Sequence, residues 1–316
     1  MDELAFEAPL APLRKEVASL ESRRPKDATE DSEELAALRK KLRAETSRVY
    51  RSLSPWETVQ VARHPGRPTI ADYAAKMCDE FLEFHGDRRA GDDPAIMGGF
   101  ARIGETRFLL VGHRKGATVE ENIAANFGMA SPEGFRKALR LMRLAEKFGT
   151  PIVTFVDTPG AYPGQTAEER GIAEAIGRNL AEMFTIPVPI LTVVTGEGGS
   201  GGALGIAVGD RVLMLEHAVY SVISPEGCAS ILWRDGAKAP EAAKALRITA
   251  KDLLELKVID GIVPEPVGAA HSAPDEMIAT LRKTVVKELK KLSGTSPSRL
   301  LDARYRKYAV IGRYGK

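Results

Sequence analysis

The length, composition and charge of the chain exclude several classes of protein. It has 316 residues, of which 44% are hydrophobic and 28% charged, and its net charge is +2, which is the balance of a globular protein with a substantial core. No apolar run approaches the roughly 18 residues of a membrane helix. The chain starts with acidic residues and shows no secretory signal. Its two cysteines, Cys78 and Cys228, are too few for a disulfide framework or a metal site. We expect a cytoplasmic protein with no metal and no membrane span.

Residues 1–54 are predicted to form a helical arm with a charged linker. The linker, residues 21–34, is rich in charge and has no apolar periodicity. A helix is expected to start at Asp31, because Glu34 three residues later completes a capping-box pattern, and to end before Pro55. One face of that helix carries Leu35, Leu38 and Leu42. Such a short arm buries too little by itself, so we expect it to pack on another surface.

From about residue 95 the chain alternates between predicted strands and helices. Residues 100–103 and 107–111 indicate a β-hairpin, and a helix is predicted to start at Ser131 and to stop at Gly149. The apolar stripe that this helix should bury comprises Phe135, Leu139, Met142, Ala145 and Phe148. Further strands are expected at 151–156, 187–195 and 211–215, and further helices at 166–183, from 224, at 240–258 and at 274–292. This alternation predicts stacked β/α units with a parallel sheet.

Two glycine-rich segments follow the predicted buried strands. The first, DTPGAYPG, spans residues 157–164, and the second, GEGGSGG, spans residues 196–202. In open α/β sheets, ligands bind at the edge formed by the C-terminal ends of the strands. We therefore expect the two turns to expose backbone N–H groups toward one crevice.

The segment 196–202 fits three kinds of site. As G-x-G-x-x-G between a strand and a helix it matches a dinucleotide fingerprint, with Glu216 as the ribose ligand. As G-x-S-x-G it matches a nucleophile elbow, with Ser200 followed by Asp260 and His271 in hydrolase order. As a glycine-rich turn without a reactive side chain it is an oxyanion hole at a helix N-terminus. Glycines that only allow close packing are the structural alternative.

The density of glycines favours the oxyanion hole. Gly205 interrupts the short helix that follows, whereas a pyrophosphate site prefers a longer helix, and the sequence around His271 is typical of an exposed loop. Aimed N–H donors are worth about 3 kcal/mol each to a developing enolate or ureido oxyanion. Such a surface transfers no proton itself, so the base has to arrive with the substrate or a cofactor.

Several longer motifs resemble one family, the alpha subunits of bacterial-type acetyl-coenzyme A carboxylase carboxyltransferases. The resemblance runs from roughly Pro55 to Gly268. It is carried by GHRKG at 112–116, NFGM at 126–129, DTPGAYPG at 157–164, AEERG at 167–171, GEGGSGGA at 196–203 and SVISPEGCASILW at 221–233. Ile172 departs from the family, which more often has Gln after the EERG run.

The resemblance implies an α/β, crotonase-like superhelix of repeated ββα units at 55–268, preceded by the arm and followed at 269–316 by a C-terminal helix and a basic tail. It also implies transfer of a carboxyl group from carboxybiotin to acetyl-CoA, giving malonyl-CoA for fatty-acid synthesis. In such enzymes the cofactor itself takes the α-proton of the thioester. The implied catalytic amides are those of Gly201, Gly202 and Ala203. The implied biotin-binding residues are Gly160, Ala161, Tyr162, Gly198, Gly199 and Ser200.

The motifs that the chain lacks imply partners. It has no Met-Lys-Met biotin-attachment tripeptide and no ATP-binding glycine run with a lysine, so a biotin carboxyl carrier protein and a biotin carboxylase are expected. Two cysteines cannot form the zinc ribbon of the family's beta subunit, which should complete the site. Residues 281–316 hold eleven basic and two acidic side chains. They form either a solvated helix and tail or a surface that docks to an acidic partner or to phosphate groups, and nucleic acid is not expected. A stand-alone crotonase-like hydratase or hydrolase and a non-catalytic carrier-docking scaffold are the alternatives.

Some side chains near these motifs have two interpretations. Asp157 either orients the turn or caps the next segment, and capping is favoured. Lys115 and Arg114 either contact CoA phosphates or form a solvated charge pair. For His64 and His113 a hydrogen-bonding role is favoured over proton transfer.

Overall fold

The central sheet combines an antiparallel edge with a parallel body. The computed structural model describes residues 4–23 and 32–312, and within them eight strands form one sheet. The strands are β1 (Glu80–Glu83), β2 (Ile96–Ile103), β3 (Thr106–His113), β4 (Ile152–Thr158), β5 (Ile190–Gly199), β6 (Arg211–Leu215), β7 (Val219–Ser221) and β8 (Gly261–Val263). They lie in the order β1-β2-β3-β4-β5-β6-β8, and β7 pairs with the last residues of β5. Pairing is antiparallel from β1 to β3 and parallel beyond β3, so the predicted hairpin and parallel sheet are confirmed.

The helices cover the sheet and extend the chain at both ends. In the described ranges they are α1 (Ala11–Ser22), α2 (Glu33–Arg51), α3 (Pro55–Ala62), α4 (Ile70–Met77), α5 (Val119–Ala124), α6 (Pro132–Lys147), α7 (Gln165–Glu169), α8 (Ile172–Met183), α9 (Ser200–Leu204), α10 (Pro225–Trp233), α11 (Ala239–Leu246), α12 (Ala250–Glu255), α13 (Pro274–Ser293) and α14 (Pro297–Ala309). Several begin as expected: the Ser224 hydroxyl, for example, accepts the N–H of Gly227 at the start of α10. No helix of these ranges is both long and apolar enough to cross a membrane.

One apolar core joins the sheet to the helices. It extends from Ile70 on α4 to Leu289 on α13, and β4 and β5 are buried on both faces, as their continuous apolar runs predict. The prediction for the buried face of α6 was partly wrong: Phe148 is 63% exposed because α6 ends at Lys147 and Gly149 turns the chain at φ +60°. The face that α6 buries carries Phe135, Ala138, Leu141, Met142 and Ala145.

Three predicted boundaries were wrong for backbone reasons. The glycine-rich segment does not turn at residue 196, because β5 continues to Gly199 by pairing with β7. The helix expected at 166–183 is two helices, α7 and α8, separated by Gly171 at φ +79°. The helix expected at 240–258 is likewise divided into α11 and α12, since Arg247 has a φ of +51°. These left-handed residues end one helix before the next begins.

The N-terminal arm packs on the core. Tyr50 of α2 is buried against Val61 and Ala269, and its hydroxyl donates to Glu7 at 3.0 Å. Ser32 caps α2, while the predicted start at Asp31 lies outside the described residues.

The C-terminal basic segment also folds back on the core. Residues 297–309 form α14, and the fully buried Arg304 of that helix donates to three backbone carbonyls and to Asp210. A solvated helix, one interpretation of this segment, therefore holds for the exposed Arg299 and Arg306 of α14 but is wrong for Arg304. The division of the chain at residues 54 and 268 stays a prediction.

Candidate active site

The two glycine-rich segments are in direct backbone contact. A Cβ atom at Gly202 would lie 2.3 Å from the carbonyl carbon of Gly160 and 2.5 Å from the nitrogen of Ala161. A Cβ atom at Gly199 would lie 2.0 Å from the carbonyl oxygen of Pro159. Only glycine permits these approaches, so the structure brings the two segments to one place.

The start of α9 leaves backbone donors without acceptors. Gly199 is the N-cap residue and no side chain caps the helix. The N–H groups of Gly201 and Gly202 precede the first intrahelical hydrogen bond, and helix geometry gives the N–H of Ala203 the carbonyl of Gly199 as acceptor. Of the three predicted catalytic amides, Gly201 and Gly202 are thus available and Ala203 is the first one engaged in the helix.

The neighbouring turn adds one more donor. The N–H of Gly160 donates to the Thr158 hydroxyl at 3.1 Å, and the N–H of Tyr162 donates to the carbonyl of Ala130 at 3.0 Å. Within the described residues the N–H of Ala161 has no acceptor, and its nitrogen lies beside Gly202. The available N–H groups of the two segments therefore converge at Ala161 and the start of α9.

His113 supports this arrangement from behind. Its imidazole is 1% exposed and its Nε2 lies 3.2 Å from the carbonyl oxygen of Gly202. Because α9 is short, the N–H of Ile206 donates to Ala203 and leaves the Gly202 carbonyl to the histidine. Burial lowers the pKa of His113 to about 3, so the ring is neutral and its Nε2–H donates. The expected hydrogen-bonding role is confirmed.

The remaining predicted biotin-binding residues lie close by and are packed by their neighbours. Gly198 pairs with Tyr220 of β7, and a Cβ atom on it would meet the Tyr220 ring at 2.7 Å. Tyr162 is half-buried, with its ring folded over Gly164. Ser200 has a φ of +52°, a left-handed conformation at the junction of strand and helix. The assignment of these residues to biotin stays a prediction.

An ion network holds the base of the two segments. Lys115 lies 2.7 Å from Asp157 and 3.2 Å from Glu197, and Glu197 lies 2.6 Å from Arg63. Asp157 also accepts the N–H of Glu197 at 2.9 Å, so it joins β4 to β5, and the described structure shows no hydrogen bond by which it caps the segment that follows it. Burial opposes ionisation of Lys115, but the two carboxylates outweigh it and raise its pKa. Lys115 is therefore engaged inside the protein, so the predicted solvated charge pair is wrong for it, while a contact with CoA phosphates stays a prediction.

A cavity of about 320 Å³ opens beside these groups. Its lining includes Arg63, Lys115, Asp157, Pro159 and Glu197. Sequence reasoning missed Arg63 and Glu197, because Arg63 approaches Glu197 from α3, which is 134 residues away in the chain. No group of three His, Cys, Asp or Glu side chains in the described parts of the chain is arranged to hold a metal ion.

The nucleophile-elbow interpretation is wrong. His271 stacks on His64 with ring centroids 3.9 Å apart, and Asp260 accepts the N–H of Val212 at 2.7 Å and pairs with Lys307. Neither side chain is hydrogen-bonded to Ser200 in the described structure, because each is committed to a different partner.

The dinucleotide interpretation is also wrong. Gly196 to Gly199 lie inside β5, so no phosphate-binding loop separates the strand from α9. The carboxylate of Glu216 accepts the N–H of Glu265 at 3.1 Å, and α9 has only five residues.

Solved structures define the class of fold. Transcarboxylase 12S superposes with a TM-score of 0.60 at 21% identity, covering 75% of this chain and 44% of that one. The beta subunit of Pseudomonas aeruginosa geranyl-CoA carboxylase superposes with a TM-score of 0.57 at 18% identity, covering 78% and 46%. The chain thus spans less than half of these larger proteins, and the predicted crotonase-type α/β fold is confirmed.

Sequence comparison defines the family within that class. The profile described as "Acetyl co-enzyme A carboxylase carboxyltransferase-like" matches residues 3–312. The acetyl-coenzyme A carboxylase carboxyl transferase subunits alpha of Synechococcus sp. (strain CC9311) and of Thermus thermophilus are 51% and 50% identical. They align over 98% and 99% of this chain and over 94% and 99% of their own lengths. The chain belongs to the acetyl-CoA carboxylase carboxyltransferase family.

Proposed function

We propose that this chain is the alpha subunit of a cytoplasmic acetyl-CoA carboxylase carboxyltransferase. It transfers the carboxyl group of carboxybiotin, carried on a separate protein, to acetyl-CoA and forms malonyl-CoA, the first committed step of fatty-acid synthesis. The full-length relatives at about half identity carry that name. The observation that carries the proposal is the convergence of unpaired N–H groups from Ala161 and the start of α9.

These donors fit the ureido oxygen of biotin, which accepts hydrogen bonds and gains negative charge during transfer. The amides of Ala161, Gly201 and Gly202 would hold it, each contributing about 3 kcal/mol to the stabilisation of that charge. Bound biotin supplies the carboxyl group and the basic atom that accepts the α-proton of the thioester. The protein's part is to bind, orient and stabilise charge.

The side chains around the donors support this division of roles. Lys115, Asp157 and Glu197 are bound in ion pairs. His113 is neutral, and its protonated nitrogen already donates to Gly202. The first three groups are held in ion pairs, and His113, with its pKa lowered to about 3, is too weak a base, so the proton acceptor belongs to the reactants.

The partners are a zinc-ribbon beta subunit, a biotin carboxyl carrier protein and a biotin carboxylase. An exposed apolar patch beside the site favours the first of them. On and after α5, Val119, Ile123 and Phe127 are 67%, 61% and 48% exposed, and Phe127 reaches the lining of the cavity. Apolar surface of this kind marks a protein–protein contact. The beta subunit would bring the oxyanion hole of the thioester to this edge.

Reconstitution with one matched pair of variants tests the proposal. The chain and a beta subunit are purified separately and mixed, and malonyl-CoA formation from acetyl-CoA and carboxybiotin is measured. We expect activity only in the mixture. Gly202→Val should lower kcat by at least about 100-fold, because the side chain displaces the amides at Gly160 and Ala161. Gly177→Val is the control, since a Cβ atom there meets nothing within 4 Å.

Three results would contradict the proposal in different ways. Malonyl-CoA formation by the chain alone would show that the site is not shared. Hydration or hydrolysis of acyl-CoA by the chain alone would favour a stand-alone enzyme. Full activity of the Gly202→Val mixture would favour a scaffold without catalytic amides.

A further inference from the structure

A second concave surface lies between α6, α8 and the loop that precedes β2. Its volume is about 310 Å³, and it shares no lining residue with the cavity beside the glycine-rich segments. Two carboxylates, Asp87 and Glu174, line it together with six arginines. The arginines are Arg88, Arg89, Arg136, Arg140, Arg143 and Arg178. Arg143 and Arg178 of this arginine groove pair with the nearby Glu182, so the charge that remains belongs mainly to the other arginines.

Several of the arginines are not neutralised by the protein. In the described structure the side chains of Arg88 and Arg89, both exposed, make no hydrogen bond or ion pair. The guanidinium of Arg140 donates only to the carbonyls of Gly86 and His85. Burial, and after it the positive charge of Arg88, lower the pKa of Arg140.

The two carboxylates of the groove do not compensate for this charge. One oxygen of Asp87 accepts the N–H groups of Arg89, Ala90 and Gly91, and in this way holds the loop that presents the arginines. Glu174 lies 3.7 Å from Arg136, a loose contact at a largely exposed side chain. Cations are therefore left over after the internal pairs have formed.

The walls of the groove carry buried polar atoms without partners. They are Nε of Arg136, Oδ2 of Asp87 and Oδ1 of Asn179. Asn179 is completely buried, and its Nδ2 donates to the carbonyls of Phe135 and Gly205. A buried polar atom without a partner costs about 1–3 kcal/mol, so a ligand that supplies both acceptors and donors would be favoured here.

We propose that the arginine groove binds a small phosphate-bearing anion at a site separate from that of carboxyl transfer. Guanidinium groups match the oxygens of phosphate with paired hydrogen bonds, and several of them can share one di- or triphosphate. A concave volume of about 310 Å³ admits a small molecule rather than a folded partner. The acceptor atoms of Asp87 and Asn179 suit a hydroxyl or a protonated phosphate oxygen on the same ligand.

Calorimetric titration of the full chain with pyrophosphate at constant ionic strength tests the site. We expect one molecule to bind per chain with a Kd below about 1 mM, and the double variant Arg88→Ser/Arg89→Ser to raise that Kd at least about tenfold. The matched control is Arg43→Ser/Arg51→Ser, which removes the same charge from exposed positions on α2. The control should leave the Kd within about twofold of the unmodified chain, because α2 does not line the groove.

A thermal melt and a second anion complete the experiment. Both double variants should keep the melting temperature of the unmodified chain, which excludes unfolding as the cause of weaker binding. Citrate, which carries charge without phosphate, should bind at least about tenfold more weakly than pyrophosphate. Equal weakening by both double variants, equal binding of citrate, or no binding of pyrophosphate would overturn the proposal.

Discussion

At the scale of single residues, His113 links the core to the donors of α9. Its Nε2–H holds the carbonyl of Gly202, the residue whose own N–H is one of the available donors. A protonated His113 would be a buried cation that has lost its water, and such a charge is costly to the folded state. Burial therefore lowers the pKa of the ring to about 3.

This pKa predicts how stability changes with pH. In the unfolded chain His113 has its ordinary pKa of 6.5, so its ring is protonated below pH 6.5. In the folded chain the ring gains a proton only below about pH 3. The contribution of the neutral ring is therefore complete above pH 6.5 and is lost as the pH falls toward 3. We expect His113→Gln to remove this part of the acid sensitivity. Melting temperatures measured between pH 7 and about pH 4 should fall less steeply in the variant.

His271 provides the internal reference for that measurement. Burial lowers its pKa to about 4, so it contributes acid sensitivity in both proteins. Only the difference between the two slopes reports on His113. Parallel slopes would show that His113 does not stay neutral in the folded chain.

At the scale of elements, the ion network fixes the strand ends that form the site. Lys115 follows β3, Asp157 lies on β4 and Glu197 lies on β5, while Arg63 reaches the network from the end of α3. The parallel pairing of β4 with β5 brings the carboxylates together, and Lys115 prevents their mutual repulsion. The network therefore joins the positions of both glycine-rich segments.

Removing its lysine should be costly. Lys115→Met leaves Asp157 and Glu197 close together with less positive charge, and we expect the free energy of unfolding to fall by about 3 kcal/mol. Lys147→Met, at the exposed end of α6, is the control and should change it by less than about 0.5 kcal/mol. Urea denaturation measures both variants. A loss below about 1 kcal/mol for Lys115→Met would mean that the pairs are effectively solvated.

The docking of α14 depends on one side chain. Arg304 is 1% exposed and donates to the carbonyls of Ile186 and Val188 at 2.8 and 3.0 Å and to Asp210 at 2.8 Å. Arg304→Met would leave these acceptors buried, so we expect a loss of at least about 3 kcal/mol of unfolding free energy.

A neighbour on the same helix serves as its control. Arg306 is exposed, and Arg306→Met should change the unfolding free energy by less than about 0.5 kcal/mol. Proteolysis of the folded chain gives a second readout, because a released α14 becomes susceptible to cleavage. If both variants behave alike, Arg304 does not dock the helix.

At the scale of the whole molecule, local patterns predicted the strands and non-local contacts changed their ends. The buried runs at 151–156 and 187–195 were visible because a strand covered on both faces is apolar throughout. The extension of β5 to Gly199 was not visible, since it depends on pairing with β7, some twenty residues later. The break at Gly171 was missed because a continuous apolar stripe does not reveal a left-handed residue.

The same distinction applies to the site. The meeting of the two segments could be predicted from their glycines, because only that residue type permits such close backbone approach. Which amides are free could not, because the Thr158 hydroxyl engages Gly160 and leaves Ala161. Arg63 and Glu197 became visible only when folding brought α3 against β5.

The apolar patch after β3 gives the last prediction, which concerns assembly. Val119, Ile123 and Phe127 are exposed next to the cavity. An apolar side chain that becomes buried at the centre of an interface typically stabilises the complex by about 2 kcal/mol or more. Ile123→Glu should therefore weaken binding to the beta subunit at least tenfold, ~1.4 kcal/mol, while the melting temperature of the isolated chain stays unchanged. Leu82→Glu is the control, because Leu82 is 64% exposed on β1, the edge strand that β2 and β3 separate from β4 and β5 and their glycine-rich segments. Sedimentation of the mixed subunits measures both variants, and equal binding by the two would place the interface elsewhere.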